Sequence, residues 1–220
     1  MPRFIQRLYP ERIWAFPHSK DSVYLTFDDG PIPEVTPWVL DELKKYNAKA
    51  TFFCIGENVK KHPEIFRRII AEGHSVGNHT FNHLKGIETE TSDYVGNVEK
   101  AERQMTDDGG RMTEDGGRKI GSSKIVNRKS LFRPPYGKIT SRQAKILQQK
   151  GFKIVMWDII SYDYDATVSE EKCLQNVLKN IKPGSVIVFH DSLKAEKNLR
   201  FVLPKVLGFV EENGLFYGKV

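Results

Sequence analysis

Short apolar runs alternate with segments of helical periodicity along most of the chain, and no other feature of the sequence restricts the fold as strongly. Val23, Leu25 and Phe27 recur at every second position, which is the spacing of a β-strand. The next segment begins with Thr36-Pro37, a pair that favours the first turn of a helix. Repeated units of this kind build a parallel sheet covered by helices. The alternation therefore predicts an α/β fold.

The same pattern gives the approximate bounds of the elements. Strands are predicted at residues 23–27, 50–55, 75–78, 131–132, 152–157, 186–189 and 215–217. Helices are predicted to open near residues 36, 63 and 92, and to span 139–150, 170–181 and 196–212. A chain of 220 residues is a usual length for one α/β barrel, so we treat residues 1–220 as a single domain.

Composition and charge exclude several classes of protein. Hydrophobic residues make up 39% of the chain and charged residues 28%, which is typical of a soluble globular protein and not of a disordered one. The net charge is +6, but the basic residues are spread out without interleaved aromatic residues, so we expect no nucleic-acid partner. No signal peptide is visible, and no apolar run approaches the length of a membrane span. We expect a monomer without a membrane span, cytoplasmic by default.

A tandem heptad interrupts the alternation. The sequence TDDGGRM at residues 106–112 is nearly repeated as TEDGGRK at residues 113–119, and neither copy has an apolar face. The ligand spacing of a calcium-binding loop is missing. The repeat therefore predicts a polar loop, inserted at residues 106–123.

Polar residues follow several of the predicted strands directly. Because the carboxyl ends of parallel strands meet at one rim, where barrel enzymes carry their active sites, these residues are expected to lie close together. Each of them taken alone could instead cap the next helix, an alternative that stays open for Asp158. The residues are Asp28-Asp29, Arg133, Asp158 and His190-Asp191.

Two histidines offer a metal site. His79 and His83 are four residues apart, which would bring both rings to one side of a helix. Such a pair is often only a pair of histidines with satisfied hydrogen bonds. Together with a carboxylate from Asp28 or Asp29, however, two imidazoles leave open positions on a metal such as zinc. We therefore predict a metal-dependent hydrolytic centre in which one aspartate binds the metal and the other acts as a base.

Five segments in this order resemble the motifs of a known family. They are TFDDG at 26–30, HTFNH at 79–83, RPPYG at 133–137, SYDY at 161–164 and VFHD at 188–191. They look like the motifs of the polysaccharide deacetylases, the family-four carbohydrate esterases with a NodB-homology domain. The resemblance covers residues 23–190. It implies an irregular (β/α)7-type, TIM-like barrel that removes the acetyl group from N-acetylated sugars of peptidoglycan- or chitin-type glycans or oligosaccharides.

The resemblance also implies a role for each matching residue. Asp28 would be the general base, positioned by Arg133, and His190 would be the general acid, oriented by Asp163. A divalent metal, zinc or alternatively cobalt or nickel, would be held by Asp29, His79 and His83. The backbone N–H of Tyr136 would stabilise the oxyanion. The substrate pocket would be lined by Tyr136, Pro134, Trp157 and Leu193.

The fourth motif departs from the family pattern. Ile160 stands where the family often has an aspartate, and Tyr164 stands where it often has a tryptophan. Since these positions shape the acetyl and sugar pocket, the departures predict an altered substrate preference. Aromatic side chains that could stack on a sugar ring are Trp38, Phe81, Tyr136, Trp157 and Tyr164.

Three alternatives remain open from the residues alone. Two histidines and a carboxylate also bind iron in non-haem oxygenases, although Arg133 and His190 have no duty there. A non-catalytic glycan-binding module could retain the same fold, but it would normally have lost the base or a metal ligand. An O-acetyl esterase acting on acetylated xylan would use the same residues as an amide hydrolase.

Overall fold

The protein is described by a computed structural model over residues 3–110 and 130–220. The strands are β1 (Ser22–Asp28), β2 (Thr51–Cys54), β3 (Ser75–Asn78), β4 (Leu131–Phe132), β5 (Lys153–Ile154), β6 (Ile159–Ile160), β7 (Val186–His190) and β8 (Phe216–Gly218). The helices are α1 (Arg3–Leu8), α2 (Thr36–Lys45), α3 (Gly56–Lys61), α4 (Pro63–Ala71), α5 (Thr91–Gly110), α6 (Ser141–Gln149), α7 (Glu170–Leu178) and α8 (Glu196–Glu212).

The strands form one parallel sheet in the order β5-β4-β3-β2-β1-β7-β6. The eighth strand, β8, pairs with the first residues of β1. Helices connect successive strands, except that β6 follows β5 directly. The sheet curves into a barrel that stays open, since no ladder joins β5 to β6 in the part of the chain that the structure describes. The predicted α/β class and the TIM-like architecture are confirmed.

The two faces of β1 have different roles. Phe27 stacks on its neighbours Phe52 and Phe189, at 5.0 and 5.7 Å between ring centroids, and packs with residues of α2 and α8. Burying a side chain of this size stabilises the fold by about 2–3 kcal/mol. Side chains alternate along a strand, so Thr26 and Asp28 point the other way, into the barrel. The alternation that fills the core thus also aims Asp28 at the interior.

The predicted strand at 152–157 is wrong in extent. The chain forms only β5, breaks its strand geometry, and then forms β6, which pairs with β7 through Ile159 and Ile160. Asp158 therefore precedes β6 and lies at the amino end of the sheet, where its carboxylate accepts a hydrogen bond from the Val186 N–H at 2.8 Å. The expectation that Asp158 joins the carboxyl rim is wrong for this reason.

The first residues of the heptad repeat belong to a helix. The last helical turn of α5 continues to Gly110, so residues 106–110 of the predicted inserted loop are helical. Thr106 donates its hydroxyl to the Glu102 carbonyl at 2.9 Å, a bond that a helix accommodates one turn back. The remainder of the predicted loop, residues 111–123, lies outside the described residues. None of the helices described is long and apolar enough to cross a membrane.

Candidate active site

A tight turn at the end of β1 presents two carboxylates at the carboxyl rim. Asp29 has a φ of 83°, in the left-handed region that non-glycine residues rarely adopt. The next residue must be glycine, because a Cβ on Gly30 would lie 1.9 Å from Oδ2 of Asp191. Gly30 donates its N–H to Asp191 at 3.1 Å, and Asn58 donates its side-chain amide to the Asp29 carbonyl at 2.8 Å. The turn is therefore held from both sides.

Asp28 forms a buried ion pair with Arg133. Nη1 of Arg133 lies 2.7 Å from Oδ1 of Asp28, and both side chains are almost completely inaccessible to solvent. The guanidinium also donates to the Thr26 hydroxyl at 2.7 Å, and to the carbonyls of Val155 and Met156 at 3.3 and 2.9 Å. A guanidinium with this many fixed partners holds the carboxylate in one orientation.

Asp29, His79 and His83 bring their ligand atoms together. Oδ1 of Asp29 lies 3.7 Å from Nε2 of His79 and 3.2 Å from Nε2 of His83, and the ligand atoms of all three residues lie within 4.8 Å of one another. The two histidines do not lie on a helix, although their four-residue spacing would suit one. They flank a turn after β3 in which Thr80 and His83 have φ values of 66° and 60°.

The electrostatics of this cluster suit a cation. Burial would raise the pKa of Asp29, but the neighbouring His83, His190 and His79 outweigh that effect and hold the pKa below its ordinary value. Burial lowers the pKa of His79 to about 4, so its ring is neutral near pH 7. His79 Nδ1 lies 2.8 Å from the Arg133 carbonyl, which fixes the proton there and leaves the Nε2 lone pair for a metal.

One buried atom makes the fit to a metal specific. Oδ1 of Asp29 is inaccessible to solvent, and it makes no hydrogen bond of good geometry with the described residues although Nε2 of His83 lies 3.2 Å away. A buried carboxylate oxygen that faces two imidazole nitrogens without a hydrogen bond is costly unless a cation lies between them. One carboxylate and two imidazoles form a ligand set for a catalytic metal, with positions left open for water and substrate. The three residues therefore fit a divalent metal.

His190 pairs with Asp163 on the other side of the cluster. Its Nδ1 lies 2.8 Å from Oδ1 of Asp163, and its backbone N–H donates to Oδ2 at 2.8 Å. Burial opposes the protonation of His190, but Asp163 outweighs it and raises the pKa to about 9. His190 is the register partner of Asp28 on the adjacent parallel strand, so both side chains point to the same face. A protonated imidazole thus lies beside the Asp28 side chain.

One open cleft of about 570 Å³ is lined by Asp28, Asp29, His79, His83 and His190. Of the predicted substrate residues, Pro134, Tyr136, Trp157 and Leu193 all line it, and Tyr136 and Leu193 are 61% and 62% exposed. Tyr136 also has a positive φ of 58°, which turns its backbone at the rim. Arg133 and Asp163 are buried behind the cleft, where they contact Asp28 and His190.

Other sequence candidates lie elsewhere, and some residues of the cleft were missed. Trp38 lies beneath Arg200 and Phe81 beneath Lys100, and neither lines the cleft. Tyr162 lines the cleft but was not singled out. Its place between Ser161 and Asp163 in the fourth motif was the available signal. No sequence signal pointed to the contact that Asn58 makes across the loops.

Comparison with known proteins gives consistent matches. The model of the polysaccharide deacetylase family matches residues 16–155. A peptidoglycan-N-acetylglucosamine deacetylase of Bacillus cereus is 39% identical over 80% of this chain, which spans 58% of that relative's length. A chitooligosaccharide deacetylase of Azorhizobium caulinodans is 34% identical over 79% of this chain and 75% of its own. The crystal structure of a peptidoglycan N-acetylglucosamine deacetylase, in complex with a naphthalenyl N-hydroxybenzamide, superposes with a TM-score of 0.83 at 33% identity, covering 100% of this chain and 95% of that one.

Proposed function

The chain belongs to the polysaccharide deacetylase family, and on that basis we propose that it hydrolyses the acetamide of N-acetylglucosamine units in a peptidoglycan- or chitin-type glycan. The observation that carries this proposal is the meeting of three groups in one cleft: the Asp28–Arg133 pair, the cluster of Asp29 with two histidines, and the Asp163–His190 pair. Hydrolysis of an amide needs a base, a site for the oxyanion and an acid for a poor leaving group. Each need has its own candidate.

Asp28 is proposed as the base that removes a proton from the attacking water. Arg133 donates a hydrogen bond to Oδ1, which leaves Oδ2 to receive the proton. A divalent cation held by Asp29, His79 and His83, zinc or else cobalt or nickel, would polarise the acetyl carbonyl and lower the pKa of the water. In this proposal Asp28 acts as the base and does not coordinate the metal. Its contacts with Arg133 hold its side chain in place for that role.

His190 is proposed as the acid that protonates the departing nitrogen. Water oxygen bonds to the carbonyl carbon, the C–N bond breaks, and the nitrogen takes a proton from Nε2 of His190 to leave as an amine. The products are acetate and a free amino sugar. Asp163 keeps His190 protonated and directs Nε2 into the cleft by holding Nδ1. The backbone N–H of Tyr136 is proposed to donate a hydrogen bond to the oxyanion, in addition to the contact that a metal would make. The ring of Tyr136 packs against His83, so this turn lies beside the proposed metal ligands.

The same geometry weighs against two other classes. An iron oxygenase gives no duty to a buried ion pair such as Asp28–Arg133 or to an acid such as His190. A glycan-binding module without catalysis would not need charged groups with opposed pKa shifts in one cleft. An O-acetyl esterase would use identical groups, because ester and amide hydrolysis share the tetrahedral intermediate. Esterase action on acetylated xylan is therefore the second candidate, and only the substrate distinguishes it.

Acetate release tests the proposal directly. The protein is treated with a chelator, and acetate is measured with N-acetylglucosamine oligomers and with acetylated xylan, before and after zinc, cobalt or nickel is added. We expect release from the amino sugar only after metal is restored. Release from xylan alone would assign the esterase function instead, and turnover without metal would contradict the metal site. No release from either substrate would remove the support for a deacetylase.

A further inference from the structure

We propose that Tyr162 is a sugar-stacking residue that makes the cleft selective for oligosaccharides over single sugars. This inference rests on the proposed deacetylase function and adds a specificity determinant to it. Tyr162 is the second residue of the SYDY segment, and it has no part in the base, the acid or the metal cluster described above.

The backbone of Tyr162 is strained. Its φ is 62°, a conformation that costs a bulky L-residue about 1–2 kcal/mol. The other described non-glycine residues with positive φ are Asp29, Asn47, Thr80, His83 and Tyr136. All of these except Asn47 belong to the turns that build the cleft, and asparagine tolerates the left-handed region well. Residues with a strained backbone are therefore concentrated around the cleft. None of the proposed catalytic roles explains the strain at Tyr162.

The hydrogen bonds that Tyr162 makes with the described residues use its backbone and not its ring. Its carbonyl accepts hydrogen bonds from the Asp165 N–H at 3.2 Å and from the Cys173 thiol at 3.4 Å, and glycine would keep both. The side chain lines the cleft and is 42% exposed, and the ring contact that the structure gives it is with Tyr164, at 6.2 Å. Glycine would adopt this φ without cost, so a tyrosine here points to a use outside the fold.

The position of Tyr162 indicates what its ring contacts. Tyr164 stands edge-on to His190 at 4.7 Å, so the pair Tyr162–Tyr164 forms the wall of the cleft on the side of the acid. On the opposite side, Tyr136 stands edge-on to His83 at 4.7 Å. The leaving nitrogen belongs to the sugar, so the sugar must lie on the side of His190. Tyr164 is next to that sugar, and Tyr162, one ring further along the wall, is placed to contact the adjoining unit of a longer chain.

Sugar rings have apolar C–H faces that pack on exposed aromatic rings. An open cleft with a two-tyrosine wall therefore gains binding energy from each additional sugar that reaches it. A single N-acetylglucosamine would fill the position at His190 and would not reach Tyr162. The expected consequence is a preference for chains over monosaccharides that depends on the Tyr162 ring.

The test compares Tyr162→Gly with Tyr162→Phe. Binding of an N-acetylglucosamine pentamer and of the monosaccharide is measured by calorimetry on chelated protein, so that turnover plays no part. We expect the Kd for the pentamer to rise about tenfold in Tyr162→Gly and to change much less in Tyr162→Phe, which keeps the ring. The melting temperature of Tyr162→Gly should not fall, because relief of backbone strain offsets the added freedom of the unfolded chain. Phe216→Ala, which removes an exposed aromatic ring outside the cleft, is the matched control and should bind like the wild type.

Two outcomes would overturn the proposal. An unchanged Kd for the pentamer in Tyr162→Gly would show that the ring does not contact the substrate. A lower melting temperature, with equal losses for the pentamer and the monosaccharide, would show that the ring supports the fold. Acetate release by the wild-type protein is measured in parallel with metal present. Its failure would refute the deacetylase function while the binding comparison still decides on the stacking role of Tyr162.

Discussion

Asp158 and Asp163 stand at opposite ends of the same short strand, and their surroundings differ in kind. Asp158 precedes β6, and its carboxylate accepts hydrogen bonds from the N–H of Val186 and the hydroxyl of Ser185 at the start of β7. Asp163 follows β6, and it accepts from the backbone and the ring of His190 at the end of β7. Both carboxylates therefore link β6 to β7, one at each end.

The difference lies in what each carboxylate does to its partner. The partners of Asp158 in this link are neutral groups that do not titrate, so the contact ties two strand ends together and has no chemical consequence. The partner of Asp163 is an imidazole whose pKa the carboxylate raises to about 9. A buried carboxylate thus supports structure at the amino end of this sheet and sets a protonation state at the carboxyl end. The loops of a barrel meet at the carboxyl rim, so a carboxylate there can set the protonation state of a neighbouring side chain.

The largest effect is expected from Asp28, the other carboxylate at the carboxyl rim. Asp28→Asn keeps an oxygen for the Arg133 hydrogen bond but cannot take a proton from water. We expect kcat for deacetylation to fall about 10³-fold, a typical contribution of a general base. Metal content, measured by elemental analysis, should stay close to that of the wild type because Asp29, His79 and His83 are unchanged.

His79→Ala is the matched comparison for that experiment. It removes a proposed ligand, so both metal content and turnover should be lost together. Near-native turnover in Asp28→Asn would show that another group acts as the base. Loss of metal in Asp28→Asn would mean that Asp28 belongs to the metal cluster.

A smaller effect is expected from Asp163, and it depends on pH. The acid must carry a proton, so activity should fall as pH rises through the pKa of His190, which is about 9. Asp163→Asn removes the anion that stabilises the protonated ring, so the pKa drops and the alkaline limb of the kcat profile moves to lower pH. We expect about a 10²-fold loss of kcat at neutral pH, with the same metal in both proteins.

The pH profile separates this role from a purely structural one. A structural defect would lower kcat at every pH and leave the position of the alkaline limb unchanged. A limb that stays in place in Asp163→Asn would therefore remove the assignment of His190 as the acid held by Asp163.

Much of the rim could be predicted from the sequence because strand periodicity is strictly local. The alternation Val23, Leu25, Phe27 fixes which face of β1 is apolar, and it follows that Asp28 points to the other face. The structure brings the three predicted metal ligands, Asp29, His79 and His83, close together, but His79 and His83 flank a turn and do not lie on a helix. Their four-residue spacing suits a helix and a tight turn equally well. The carbonyl of the left-handed Thr80 accepts a hydrogen bond from the Gly56 N–H at 3.0 Å, a contact that is distant in sequence.

The misplacement of Asp158 has a different physical cause. Residues 154–157 form a continuous apolar run across the end of β5, so the break between β5 and β6 leaves no mark in the hydrophobic pattern. The break exists because β6 pairs with β7 on the far side of the sheet from β5, a contact that lies far away in sequence. The hydrogen bond from Asn58 to the Asp29 carbonyl is another contact between residues far apart in sequence. Local patterns carry no information about such contacts.

The smallest effect is expected at Asp158, where only stability should change. Asp158→Ala leaves the buried N–H of Val186 without its acceptor, and we expect the free energy of unfolding to fall by about 1–2 kcal/mol in urea titrations. Asp158→Asn should cost less, because its amide oxygen can still accept that hydrogen bond. Burial also raises the pKa of Asp158, which shows that its charge is disfavoured there, and asparagine carries none. In both variants kcat should stay within about threefold of wild type, since neither changes a group of the cleft. If Asp158→Asn lost activity as Asp163→Asn does while retaining its stability, the amino end of β6 would also serve the chemistry, and the distinction between the two ends would no longer hold.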